Sequence, residues 1–316
     1  MRMFFTVFLG LLLASQGATA GNIPVVESLA DGLPEEALKT GFFYLKKPDG
    51  LDEDTQKVRA ELPGLFKNEA LKEIERGAFG GHTDHNTQKD GKRMMQVETI
   101  AFTHEYWAET YGVHAPEIMP ALEKQTKLAT TLLRETLKQT GIPEEQWDQI
   151  SNGASEGKGV FTYLVNHYQS NVDARFALKE HCDFSMITIL DLNKKGLEAW
   201  IAEAWVPVDP KPGYFVINYG QALEHLTNGL VKAILHRVKA QTASDGDRFT
   251  GAFYIDGDMT KPLMQYQGHD KPCRVLYKNY EEFITKVCYP HMKSTDESWA
   301  DRQRPDGDAE AAAAKA

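Results

Sequence analysis

Between about residues 159 and 255 the chain is a succession of short β-type runs, and this feature limits its fold more than any other. The runs fall at 161–168, 175–178, 185–190, 197–201, 205–208, 214–217, 235–239 and 249–255. Turn chemistry separates several of them, at Asn193-Lys194-Lys195-Gly196, Asp209-Pro210-Lys211-Pro212-Gly213 and Asp245-Gly246-Asp247. About eight strands at such spacing predict a jelly roll, two packed sheets whose interior can hold a ligand at one mouth. The preceding part, 21–150, reads as mixed and mostly helical. A strand at 41–45, bounded by Gly41 and Pro48-Asp49-Gly50, leads to a helix through Leu62 with Asp52 as its N-cap. Apolar Ile118, Ala121, Leu122, Leu128, Ala129, Leu132, Leu133 and Leu137 recur near a 3.6-residue period and predict a helix over 116–139. The fold class expected is α+β, and a last helix is expected at 277–289.

The termini carry different signals. Arg2, the apolar run from Met3 to Ala14 and then Ala18-Thr19-Ala20 match the n-region, h-region and cleavage site of a secretory signal peptide, so 1–20 is read as removed and the protein as exported, or as cytoplasmic where the signal goes unused. The run is too short to span a membrane as a helix. Residues 294–316, with their Ala-rich end, read as a disordered tail. That leaves 21–150 and 151–293 as the folded domains. Lys and Arg number 35 against 45 Asp and Glu, a net charge of −10, so no overall basic field attracts a phosphate backbone and nucleic acid is not an expected partner. Three cysteines, Cys182, Cys273 and Cys288, allow at most one bridge and form no CxxC pair.

The chemistry is concentrated in His181-Cys182-Asp183, His236 and Arg248-Phe249-Thr250. Two His and one carboxylate can occupy one face of an iron octahedron and leave the other face open. Strand alternation turns His181 and Asp183 to one side and Cys182 to the other. A second H-x-D, at His82-Thr83-Asp84-His85, lies in a polar stretch with no β-like run behind it and reads as a solvated loop, near the substrate at most. Arg248 and Thr250, two apart on a strand, face one way, and an Arg fork with a hydroxyl suits a carboxylate. The same R-x-T at Arg134-Glu135-Thr136 sits on the predicted helix, where residues two apart diverge.

Asn166-His167-Tyr168, the run from His181 to Leu190, Leu226-Thr227-Asn228-Gly229, Leu235-His236-Arg237-Val238 and Arg248-Phe249-Thr250 together resemble the 2-oxoglutarate and Fe(II)-dependent dioxygenase superfamily, in the branch of isopenicillin N synthase, the plant flavonoid and gibberellin dioxygenases and aminocyclopropane carboxylate oxidase. The 53 residues from Asp183 to His236 fit that branch. The resemblance covers roughly residues 35 to 285. It implies a double-stranded β-helix core with a mostly helical N-terminal region around it. It also implies Fe(II) on His181, Asp183 and His236, and the far carboxylate of 2-oxoglutarate on Arg248 and Thr250. Tyr168 would add a hydroxyl to that carboxylate and Asn166 would stand beside the cosubstrate. Ascorbate supports such enzymes, and their partners are dioxygen and a small organic substrate that is hydroxylated, desaturated or cyclised. The sequence departs from the family at Thr250, where Ser is usual, at Gln221, where Asp is common, at Lys46-Lys47-Pro48-Asp49-Gly50, and in a longer hairpin around 243–247 before Arg248. The competing readings are an iron oxidase that uses no 2-oxoglutarate, with Arg248 and Thr250 serving the substrate's own carboxylate, and a metal- or ligand-binding module without turnover. Substrate and oligomeric state are not legible in the sequence.

Overall fold

The computed structural model describes residues 23–75, 80–85, 88–89 and 92–288. The expected signal peptide and tail lie outside these residues. Eight strands form one large sheet in the order Val25–Val26, Phe42–Lys46, Tyr214–Tyr219, Ile187–Asp191, Arg248–Asp256, Val160–Tyr168, Val97–Thr103 and Gly81–Asp84. All its pairings are antiparallel except the first. A smaller sheet runs Ala204–Val208, Leu197–Ile201, His236–Val238 and Leu178–His181. The large sheet therefore draws strands from both sides of residue 150.

Alternation gives the large sheet two faces with different partners. Along Arg248–Asp256, Phe253 and Ile255 point outward into a core shared with the helices Leu51–Leu65 and Met119–Gln139, whose Leu62, Leu65, Leu132 and Leu133 are buried there. Removing side chains such as Phe43, Phe215 and Phe253 from water contributes about 1.5–3 kcal/mol each. Ala252 points inward to a second core, where Leu190 and Val216 meet Leu197, Ala199, Val208 and Val238 of the small sheet. This is the jelly-roll interior, and it opens into the site.

Several expectations need correction. The first long helix starts at Leu51 behind Gly50, which adopts the left-handed conformation (φ 74°). Asp52 is no cap; it sits in the first turn and holds the Lys47 ammonium at 2.8 Å. The run at 175–178 divides into two short strands, Ala174–Phe176 and Leu178–His181, in different sheets. The segment expected as helix from 277 begins as strand Arg274–Tyr277, and its helical part is Tyr280–Phe283 continuing as a π-turn over Ile284–Cys288. His82-Thr83-Asp84 is no solvated loop: Gly81–Asp84 is the edge strand of the large sheet, held by backbone pairing to Val97–Thr103. Among the described residues, neither Cys182 nor Cys273 is in a disulfide. Among the described residues no helix is long and apolar enough to cross a membrane.

Candidate metal centre and its cavity

His181 ends the strand Leu178–His181 of the small sheet, and His236 begins His236–Val238 beside it, the two being register partners. Pairing across two antiparallel strands sets the rings 4.3 Å apart, centroid to centroid. Asp183 is not on a strand, contrary to the alternation argument. It lies in the link that crosses from the small sheet to Ile187–Asp191 of the large one. Its backbone carbonyl accepts from Gln221 N at 2.8 Å, and Gly220 packs so closely that a Cβ there would stand 2.1 Å from the Ser185 carbonyl oxygen. The link owes its rigidity to this contact.

The two oxygens of Asp183 have separate tasks. Oδ2 accepts from the Thr188 hydroxyl and, at 2.8 Å, from Asn218 Nδ2. Oδ1 faces His181 Nε2 at 3.4 Å and His236 Nε2 at 3.7 Å. Each ring is oriented from behind: His181 Nδ1 donates to the Lys179 carbonyl at 2.9 Å and His236 Nδ1 to the Ile234 carbonyl at 3.2 Å. A carbonyl only accepts, so Nδ1 carries the proton and Nε2 is the atom left for a metal. One ligand atom from each of the three residues lies within 4.8 Å of the others. Two imidazoles and one carboxylate oxygen on one side suit a first-row divalent metal with open positions.

Electrostatics prepare the same place for a cation. Burial pushes the Asp183 carboxyl up, but the His236 and His181 rings and the Thr188 hydroxyl outweigh it and hold the group well below the usual carboxylate range. Burial, helped by the neighbouring His181, pushes His236 down to about 4. For His181 burial acts downward too, yet the hydrogen bond and charge of Asp183 leave it above its ordinary value.

The triad opens into a cavity of about 430 Å³. Arg248, Thr250, Tyr254 and Asp256 line it from alternate positions of one strand, and Asn166 and Tyr168 from the next. Arg248 is 1 % exposed, with its guanidinium carbon 4.8 Å from the Tyr168 ring centroid and Nε donating to the Lys194 carbonyl at 3.4 Å. Its Nη1 and the Thr250 hydroxyl are buried with no hydrogen-bond partner. Orphaned buried polar groups are rare because they cost free energy. Here a fork nitrogen and a hydroxyl wait side by side on one strand face, a donor set that fits one carboxylate group.

These features agree with the comparisons. The model of the 2OG-Fe(II) oxygenase superfamily matches residues 160–257, the stretch that supplies the triad, Arg248 and Thr250. That stretch of the chain is similar to the 2OG-Fe(II) oxygenase superfamily. A 2'-deoxymugineic-acid 2'-dioxygenase of Hordeum vulgare is 36% identical over 131 residues, 40% of this chain and 37% of that protein. Gibberellin 3-beta-dioxygenase 1 of Arabidopsis thaliana is 27% identical over 247 residues, 71% and 68% of the two chains. Thus the chain spans well under half of the first of these relatives and about two thirds of the second. Among solved structures, JOX2 in complex with 2OG, Fe and JA has a TM-score of 0.69 at 20% identity, covering 84% of this chain and 85% of its own. A 2OG-Fe(II) oxygenase family protein from Caulobacter crescentus gives 0.67 at 18%, covering 86% and 99%. These two establish the shared double-stranded β-helix fold.

All seven residues singled out from the sequence, His181, Asp183, His236, Arg248, Thr250, Tyr168 and Asn166, line this cavity together. The control pair is elsewhere: Arg134 bonds Glu144 and Glu156, while the Thr136 hydroxyl meets Tyr219. Sequence reasoning missed Thr188 and Asn218 behind Asp183, and the cavity residues Thr99, Tyr254 and Asp256, whereas His85, in the stretch placed near the substrate at most, does line the cavity. Continued alternation from Arg248 reaches Tyr254 and Asp256, so that signal was present. His104 and Trp107 have packing roles instead: His104 Nδ1 accepts from Phe161 N and Trp107 Nε1 donates to the Phe102 carbonyl.

Proposed function

We propose that this protein is an Fe(II)- and 2-oxoglutarate-dependent dioxygenase that oxidises a C–H bond of a small organic molecule. The observation that carries the reading is the pair of orphaned groups, Arg248 Nη1 and Thr250 Oγ1, in the same cavity as the His181, Asp183 and His236 donors. With both bound, iron and 2-oxoglutarate supply the oxidising power, drawing on dioxygen and giving succinate and carbon dioxide as coproducts. His181 Nε2, His236 Nε2 and Asp183 Oδ1 hold the metal, and Thr188 and Asn218 keep the Asp183 carboxylate turned toward it. Arg248 and Thr250 anchor the far carboxylate of 2-oxoglutarate, with Tyr168 packed against the guanidinium and Asn166 alongside. Leu164, Leu190, Leu197 and Val238 keep that end of the cavity apolar, which excludes water and strengthens each charge interaction inside. Thr99, Thr162, Tyr254 and Asp256 are the polar contacts offered to the substrate.

The assignment to the isopenicillin N synthase-like branch is part of the same proposal, and so are export through residues 1–20 and the division into 21–150 and 151–293. Within that branch an oxidase without 2-oxoglutarate remains the competing reading, because the Arg248–Thr250 pair fits any carboxylate. The test is anaerobic addition of 2-oxoglutarate to the Fe(II)-loaded protein, followed by succinate measurement in air with ascorbate. A weak visible charge-transfer band and succinate release, both lost in Arg248→Ala, support the reading. Iron binding with neither band nor succinate overturns it in favour of the oxidase or a non-catalytic module.

A further inference from the structure

The strands that carry Arg248 and Tyr168 bear a second polar cluster on their outer face. His167 is flanked in register by Glu98 on one side and Phe249 on the other. Its Nδ1 lies 2.6 Å from Glu98 Oε1 and its Nε2 2.8 Å from Asp247 Oδ2. An ionised carboxylate only accepts, so both ring nitrogens carry protons and the ring is an imidazolium. The ring lies flat on Phe249, 4.4 Å between centroids and 8° between planes, with Phe66 at 5.0 Å. Glu98 also accepts from His82 Nε2 at 2.7 Å and Gln169 Nε2 at 3.1 Å, and Asp247 from Ser170 N and Oγ at 2.9 and 2.8 Å. Burial opposes charge on all three, yet the pairing wins: His167 stands above its ordinary pKa, Glu98 is held down at about 2, and Asp247 is lowered.

This cluster is joined to the cavity through one peptide unit. Asp247 immediately precedes Arg248, in the hairpin that is longer than the family's usual one. The Lys194 ammonium donates to the Asp245 and Asp247 carbonyls at 2.8 Å each, and the Lys194 carbonyl accepts from Arg248 Nε. We propose that His167 is a positioning residue for the cosubstrate: clamped as an imidazolium between Glu98 and Asp247, it fixes the hairpin end so that Arg248 is set for the far carboxylate of 2-oxoglutarate. The inference rests on the cosubstrate reading above. Among the described residues, Glu98 and His82, from the strands Val97–Thr103 and Gly81–Asp84, and Asp247 are titratable groups facing the ring and its carboxylates. Because the His167 pKa is raised on folding, the clamp is complete below the ordinary histidine value and is lost as pH rises through the folded value. One nitrogen then turns a lone pair to a carboxylate, and 2-oxoglutarate binds more weakly.

The test is the cosubstrate Kd, measured by titrating 2-oxoglutarate into anaerobic Fe(II)-loaded protein across about pH 6 to 9, in wild type, His167→Gln and Asp247→Asn, with NMR titration of the His167 ring in metal-free protein. The wild-type Kd rises with pH, and the ring titrates above the ordinary value. H167Q raises the Kd about three- to tenfold at the acidic end and flattens its pH dependence, the size of one net hydrogen bond lost. It leaves the affinity for Fe(II) unchanged and raises the cosubstrate KM far more than it lowers kcat. D247N acts in the same direction and serves alone should H167Q fail to fold. A wild-type Kd that ignores pH, a variant Kd equal to wild type, or a His167 ring that titrates at or below the ordinary value overturns the proposal while leaving the cosubstrate reading intact. Wild-type protein that binds iron but no 2-oxoglutarate overturns both.

Discussion

Asp183 divides its labour: one oxygen is tied to Thr188 and Asn218, the other is kept for the metal. Thr188→Val and Asn218→Ala each free the carboxylate to turn, and iron affinity in an anaerobic titration should fall about 10- to 100-fold, with Asp183→Ala abolishing it. H-x-D alone did not single out His181 and Asp183, since it recurs at His82-Thr83-Asp84; it was the family resemblance, with His236 53 residues further on, that joined the three. Thr188 and Asn218 were invisible because they are 30 residues apart in the chain and meet only as register partners of two strands. Asp256 shows a second kind of invisibility, a charge whose meaning comes from burial. Burial raises its carboxyl to about 7, partly offset by a bond from the Tyr280 hydroxyl. The folded state then keeps a proton that the unfolded chain releases near pH 4, so stability falls as pH rises from about 4 to about 7. Asp256→Asn removes that dependence: denaturant melts should match wild type near pH 4 and show a gain of roughly 2–4 kcal/mol at neutral pH and above.

At the scale of elements, strands with alternating or continuous apolar residues were readable to within a residue or two, as at Leu197–Ile201 and Val160–Tyr168. The Gly81–Asp84 strand was not, because an edge strand of polar residues is held by backbone pairing and carries no hydrophobic period. Lys47 stands where the family usually has another motif, and its role is structural. Its ammonium is buried between Asp191 at 2.9 Å and Asp52 at 2.8 Å, and Arg59 grips Asp191 as well, so the Leu51–Leu65 helix is clipped to the sheet. Lys47→Ala leaves a buried carboxylate half-paired and should cost about 3–5 kcal/mol in chemical denaturation. Gly220 has an ordinary backbone conformation (φ −104°), so only the close approach of the Ser185 carbonyl demands glycine. Gly220→Ala pushes the Asp183 link outward, with an expected loss of about 1–3 kcal/mol and weakened iron binding in the same preparation.

In the whole molecule, the large sheet separates two environments. Helices cover its outer face with an apolar core, while its inner face and the small sheet enclose the cavity. The jelly roll was legible from the number and spacing of strands. The joining of 25–26, 42–46, 81–84 and 97–103 to the same sheet was not, since pairing between distant segments leaves no local mark. Three ligands from two strands and a crossing link, and an anchor from the opposite sheet, come together only through this topology. An anaerobic crystal structure with Fe(II) and 2-oxoglutarate tests that convergence most directly. The account predicts iron on His181 Nε2, Asp183 Oδ1 and His236 Nε2, with the far carboxylate of 2-oxoglutarate on Arg248 Nη1 and the Thr250 hydroxyl. A metal bound elsewhere, or a cosubstrate carboxylate that leaves Arg248 and Thr250 without a partner, would contradict it.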